Sequence, residues 1–340
     1  MLEAIIDHTE GTDLGPRIGS DIDSNPPIPL GIQRMLRSSY YIHPDDQRAL
    51  QVALKIFNKL KNTKNISPAA VKCLTKPLSY LTDTMDEEDI QKLFIFNLQG
   101  AAKLRKLGGF KEKSMRERKL YSHFLSHAAD EAILLYKRYK RKENSGRQAL
   151  KWAQAAFKMS GLFQSYTKGQ YRYCLLQERA EAAGFLYKNT GRLSWLISWY
   201  NHSSESARFS LNEEIALNSC LAAGTAAIYI ADEIKHDAIC WLERAHRCYS
   251  DAADHAKYYG RNRREYTLLK KAELSCDLFL ATADKRFAER ENMEIDSYLR
   301  YARRVNLSTK GRLLFEKDFL RVFLGNKVRP YRNKSARQIG

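Results

Sequence analysis

From residue 44 onward, apolar positions recur every three or four residues, so the chain reads as one amphipathic helix after another. The stripe Leu50, Ala53, Leu54, Phe57, Leu60 marks the first helix. Pro44-Asp45-Asp46 opens it, with proline in the first turn and acids at the positive end of the helix dipole. Ser67-Pro68 starts a second helix that runs through Leu81. Asp86-Glu87-Glu88-Asp89 starts a third, which reaches Leu107 and is stopped by Gly108-Gly109. A long helix follows over 115–141, with Tyr121, Phe124, Leu125, Ala128, Ala132, Leu135 and Tyr136 on one face, and Asn144-Ser145-Gly146 breaks the chain after it. The pattern then predicts helices over 147–160, 168–188, 192–208, 211–232, 236–258, 262–283 and 293–306, and a last amphipathic segment at 309–324. No stretch has the period-two alternation of a half-buried strand, so the predicted class is all-α.

The first 42 residues break the pattern. Glu3, Asp7, Glu10, Asp13, Asp21 and Asp23 face the single base Arg17, while Gly11, Gly15, Gly19 and Pro26-Pro27-Ile28-Pro29 forbid a long helix. This segment is expected to be an extended acidic arm. The layout is then an arm at 1–42, a helical region at 43–146, repeating helices at 147–325 and a basic tail at 326–340.

The repeats rest on particular residues. Ala180, Ala183-Gly184 and Tyr187 precede the turn Lys188-Asn189-Thr190-Gly191, which leads to Leu196, Tyr200 and Ser203. The order returns about 42 residues later as Ala222, Thr225-Ala226, Tyr229, Ala238, Leu242 and Ala245. Ala272, Cys276 and Phe279, facing Tyr298, Tyr301 and Ala302, form a candidate third copy. Small residues where two helices touch, a tyrosine near the end of the first helix and a short turn resemble the tetratricopeptide-repeat superfamily. The resemblance covers 147–306, in a long-helix form without the expected tryptophan and proline. It implies an antiparallel helix-pair solenoid that presents a groove for protein partners.

Charge adds a second theme. Lys and Arg number 57 against 39 Asp and Glu, a net charge of +18, which points to a polyanionic partner: RNA, DNA or an anionic surface. The six cysteines (Cys73, Cys174, Cys220, Cys240, Cys248, Cys276) stand singly with no C-x-x-C pair. They read as small buried hydrophobes in a reducing, cytoplasmic compartment. The uncharged run Ile215–Ala231 is shorter than the roughly 20 residues of a membrane span, so it is expected to be a buried central helix, with no membrane partner.

Catalytic and cofactor signatures do not emerge. His123, His127 and Glu131 have metal-chelating spacing, but the helical wheel sets them opposite the apolar stripe, toward solvent. His236 and Cys240 read as core or rim residues. Gly108-Gly109 lacks the Gly-Lys-Ser/Thr of a phosphate loop. The reading is therefore non-enzymatic, without metal or cofactor.

Three basic clusters carry the candidate contacts. The first is Tyr136-Lys137-Arg138-Tyr139-Lys140-Arg141-Lys142, whose cations suit phosphates and whose tyrosines suit stacking on bases; the same run also suits the negative end of a helix dipole. The second is the turn bearing Arg261, Arg263 and Arg264, and the third is the tail with Lys327, Arg329, Arg332 and Lys334. The leading expectation is an RNA-binding helical-repeat protein that docks on the ribosome or another ribonucleoprotein. The rival is an adaptor that binds acidic peptide segments through its repeats or contacts a protein through its arm; a DNA-associated or viral packaging role comes third.

Overall fold

The computed structural model describes residues 47–60, 68–106, 115–164, 170–301 and 307–325. The acidic arm, the Gly108-Gly109 turn and the basic tail fall outside them. Every regular element among the described residues is a helix. In chain order these are α1 Gln47–Leu60, α2 Pro68–Ser79, α3 Glu87–Lys106, α4 Met115–Arg141, α5 Gly146–Gln164, α6 Gln170–Thr190, α7 Leu193–Phe209, α8 Glu213–Glu233, α9 Ala238–His255, α10 Arg261–Thr282, α11 Lys285–Tyr301 and α12 Leu307–Phe323. Two short 3₁₀ turns flank α9.

The chain divides into two compact units, 1–166 and 167–340. The periodicity groups α5 with the repeats, whereas the structure packs it against α4 in the first unit. In that unit each helix packs on the next, and α4 also reaches α2. Its core is aromatic: the Phe57 and Phe96 rings meet edge-on at 5.9 Å, and Phe94 meets Trp152 edge-on at 5.2 Å.

In the second unit, two-to-five-residue connections force neighbouring helices antiparallel, and each helix packs on its successor. Helix pairs begin at Gln170, Glu213 and Arg261, 43 and 48 residues apart. Asn212 caps α8 by accepting from the backbone N–H groups of Glu214 (2.9 Å) and Ile215 (3.1 Å). α8 is long and apolar enough to cross a membrane by composition. Here it buries Leu217, Ala223, Ala227 and Ile230 among others, with α7 and α9 packed on it, as the expected central helix.

One packing device recurs in both units. A Cβ at Gly100 would stand 2.9 Å from the Phe124 ring, one at Gly184 2.9 Å from the Trp199 ring, and one at Gly224 2.6 Å from the Tyr249 ring. In each case a glycine on the first helix of a pair lets an aromatic ring of the second lie flat on its backbone.

The predicted and observed helices agree closely except at α11, which periodicity starts at 293 and the structure starts at Lys285. Ala283 adopts a left-handed conformation (φ 51°) that ends α10, and Asp284 Oδ1 accepts from the Arg286 N–H at 2.8 Å to begin α11. Phe287, Ala288, Glu291 and Ile295 then form the buried stripe. Its register is masked in sequence by the charged residues between them.

Candidate functional site

The cluster at 136–142 is bound into its own unit. Tyr136 is 1% exposed and completes the core stripe of α4, which closes its ring to a stacking base. The Tyr139 hydroxyl accepts from Gln91 Nε2 (3.0 Å), and Lys142 pairs with Glu87 at 2.7 Å. The Arg138 guanidinium donates to the carbonyls of Met85 (2.6 Å), Thr82 (2.8 Å) and Asp83 (3.0 Å) in the turn joining α2 to α3. Lys140 lies over the Tyr136 ring (5.4 Å), Lys137 is half-buried and Arg141 is exposed. Arg138→Ala should therefore cost about 1–3 kcal/mol, because it strands carbonyls that the fork satisfies. Thermal melts are expected to place Arg138→Lys, which keeps one donor, between this variant and the wild type.

The second cluster is likewise tied down. Arg261 donates to Glu265 Oε1 and to the carbonyl oxygen of Tyr301, both at 2.8 Å. The Arg264 guanidinium lies 4.5 Å from the centroid of the Tyr301 ring, and Arg263 sits 3.7 Å from Glu214. These arginines fasten the start of α10 to the end of α11 and to the first turn of α8. Lys327, Arg329, Arg332 and Lys334 lie outside the described residues.

The solvent placement of His127 and Glu131 is overturned. Glu131 is fully buried and its Oε1 accepts from Asn97 Nδ2 at 2.8 Å; Asn97 Oδ1 lies 2.8 Å from the Thr75 hydroxyl. The physical reason is that α3 and α5 both cover α4, which buries a second face of the helix beside the apolar stripe. Burial lowers the His127 pKa to about 3, with the neighbouring His123 adding to the effect, and burial raises that of Glu131 well above 4.5.

The two shifts have opposite linkage. Unfolded His127 protonates near 6.5 and the folded side chain near 3, so the fold loses stability as pH falls across that window. Unfolded Glu131 ionises near 4.5 and the folded group much later, so the fold loses stability as pH rises above 4.5. In urea melts, Glu131→Gln should lose less stability than wild type from pH ~4.5 to ~8, and His127→Gln less from pH ~6.5 to ~4.

The surface that stands out is α12. Leu313 and Leu320 turn inward onto Phe279, Phe287 and Ile295. Phe315, Phe319 and Phe323, spaced four apart, line a second face of the helix and are 76%, 53% and 46% exposed. Leu280, at the end of α10, adds a further side chain 71% exposed, and Phe279 meets Phe323 at 4.7 Å. The four-residue spacing was visible in the sequence; that no following described helix covers these rings was not.

Beside this face, on the inner side of α12, lie Cys276 of α10, Glu291 of α11 and Glu316 of α12. Their ligating atoms are within 4.8 Å of one another. Glu291 is buried, and its Oε2 has no hydrogen-bond partner. The expectation that cysteines are buried holds for Cys220 but not for Cys240, which is exposed, nor fully for Cys276, which is half-buried.

No protein-family model and no curated protein sequence matches the chain. Among solved structures it is similar to the S. pombe nuclear import adaptor Nro1, at 12% identity and a TM-score of 0.45, over 84% of this chain and 96% of that one. It is also similar to a de novo designed helical repeat protein at 15% identity and a TM-score of 0.19, over 79% and 99% of the two chains. At such scores the likeness carries no inference about partners or activity.

Proposed function

We propose that this chain is a helical-repeat adaptor whose last described helix docks an acidic, apolar-edged segment of a partner protein. The observation that carries the reading is the uncovered Phe315-Phe319-Phe323 face. The terminal helix of a repeat stack ordinarily turns a polar side to water, and a row of exposed phenylalanines is the reverse of that. An amphipathic helix laid across the row would bury rings that now contact solvent. Charge selects the sign of the partner. From Leu307 to the end of the chain, nine Lys and Arg stand against Glu316 and Asp318, a local surplus of +7. Helix pairs more than 40 residues long, closed by glycine–aromatic contacts, favour a long-helix relative of the tetratricopeptide repeat as the scaffold.

A second reading, RNA or ribonucleoprotein docking, is favoured by the net charge of +18 and by the tail cations Lys327, Arg329, Arg332 and Lys334. Arg138, Arg261 and Arg264 already hold partners within the fold, which weakens their claim on phosphate.

Binding of three labelled probes to the full chain separates the two. The probes are a helical peptide with a Leu stripe flanked by Glu, the same peptide with Lys in place of Glu, and poly(U) RNA. The acidic peptide should bind, the Lys peptide should not, and Phe315→Glu combined with Phe319→Glu should weaken the acidic peptide at least about tenfold. Equal binding of the acidic peptide to the double variant would sink the docking site. Binding of poly(U) alone, falling steeply between about 50 and 200 mM salt, would replace the adaptor by the RNA reading.

A further inference from the structure

Cys276, Glu291 and Glu316 are 15 and 25 residues apart in sequence and come from three different helices, α10, α11 and α12. The fold nevertheless brings one thiol sulfur and two carboxylate oxygens within 4.8 Å of one another. Ligands around a single tetrahedral ion at bond lengths of about 2.0–2.3 Å stand roughly 3.5 Å apart, so side-chain adjustments of about an ångström would close the set.

The independent sign is at Glu291. Its side chain is 1% exposed, yet its Oε2 makes no hydrogen bond. A carboxylate oxygen taken out of water and left without a donor is a rare and costly arrangement, and a cation is the partner it lacks. The surroundings agree. Besides the three donors, Glu273 and Asp277 of α10 bring two more carboxylates. The cations facing them are Arg312, 3.7 Å from Glu316 and 2.9 Å from Glu273, and Lys270, 2.7 Å from Glu273. Burial and the crowd of acids push the Cys276 thiol up to about 12 and the Glu291 carboxyl up to about 7, as in a site short of positive charge.

We propose that Cys276, Glu291 and Glu316 bind one divalent transition-metal ion of zinc's type, which fastens α12 onto α10 and α11. One soft sulfur among hard oxygens favours zinc over calcium or magnesium, which take all-oxygen shells. The half-buried positions of Cys276 and Glu316 leave room for a water as fourth ligand. On binding, the thiol and any protonated carboxyl release their protons to solvent as the metal bonds form. Such an ion would reinforce α12, which the apolar contacts of Leu313 and Leu320 otherwise hold. This inference does not rest on the docking reading, because the ligands face inward and the phenylalanines outward.

The test uses the purified full chain with Zn²⁺ and Co²⁺ as probes. Equilibrium dialysis should show one tightly held zinc per chain and a raised thermal midpoint on loading. The Co²⁺ form should show a thiolate-to-cobalt charge-transfer band that Cys276→Ala abolishes. Glu291→Gln and Glu316→Gln should each weaken zinc binding about tenfold or more, with circular dichroism unchanged. Should Cys276→Ala fail to fold, Glu316→Gln on the half-buried face of α12 carries the same test. A charge-transfer band that survives in Cys276→Ala would put the metal on other cysteines and overturn the proposal. So would zinc uptake that the carboxylate variants leave unchanged.

Discussion

Gly224→Ala is expected to destabilise the second unit by about 1–3 kcal/mol, although alanine is the better helix former. An alanine Cβ would lie 2.6 Å from Tyr249 Cε2 and 2.8 Å from Cδ2. The ring has little room to retreat: it is 1% exposed, its hydroxyl lies 3.1 Å from Thr225 Oγ1, and Tyr266 meets it at 6.4 Å. α8 would have to move away from α9 and open the cluster of Ala227, Ala245, Tyr249 and Leu274. Gly311→Ala is the internal control. It lies within α12 with nothing near its missing Cβ, so it should stabilise by up to about 1 kcal/mol. Urea melts measure both signs. Adding Tyr249→Leu to Gly224→Ala should recover part of the loss, and a double-mutant cycle with no coupling would show that the close approach is not the cause.

Trp152→Ala carries the largest expected cost in the first unit, about 3–5 kcal/mol. Trp152 is 1% exposed and stands edge-on to Phe94, so it joins α5 to α3 across the core. Removing it leaves a cavity that the alanines beside it, Ala153 and Ala156, are too small to fill. Trp152→Phe keeps an aromatic ring and should lose distinctly less. Hydrogen exchange read by mass spectrometry should place the lost protection in α3, α4 and α5. Protection lost only at the ends of α5 would mean that the indole is peripheral to the core.

Local chemistry made most of the helices legible. The span 115–141 is predicted and found with the same limits, and Asp86, which opens the third helix in sequence, accepts from the Asp89 N–H at 2.8 Å. The exception, α11, shows where the signal thins. Lys285, Arg286, Glu289 and Arg290 surround Phe287 and Ala288, so a six-residue window looks polar although every third or fourth side chain turns inward. Glu291 lies on that stretch, which is why the cluster with Cys276 and Glu316 could not be assembled from sequence. Its members lie on three helices, and no local spacing rule joins them.

The basic clusters teach the complementary lesson. A run of Lys and Arg looks the same in sequence whether it faces a phosphate or a carbonyl. In the structure, Arg138 holds three carbonyls of a turn more than 50 residues away, and Arg261 holds the carbonyl oxygen of Tyr301, 40 residues on.

By itself the sequence determined that this protein is all-helical, where most of its helices lie, and that its charge is strongly positive. These depend on 3.6-residue periodicity, on capping residues and on a count of ionisable groups, all carried by residues near one another in the chain. The tertiary structure alone decided which faces are covered twice, as with Glu131 on α4, and which are left bare, as with Phe315 and Phe319 on α12. It also decided which arginines are already engaged and which donors meet beneath α12. Burial and pairing depend on neighbours tens of residues away, and helical periodicity says which side of a helix is apolar without saying how many partners will cover it.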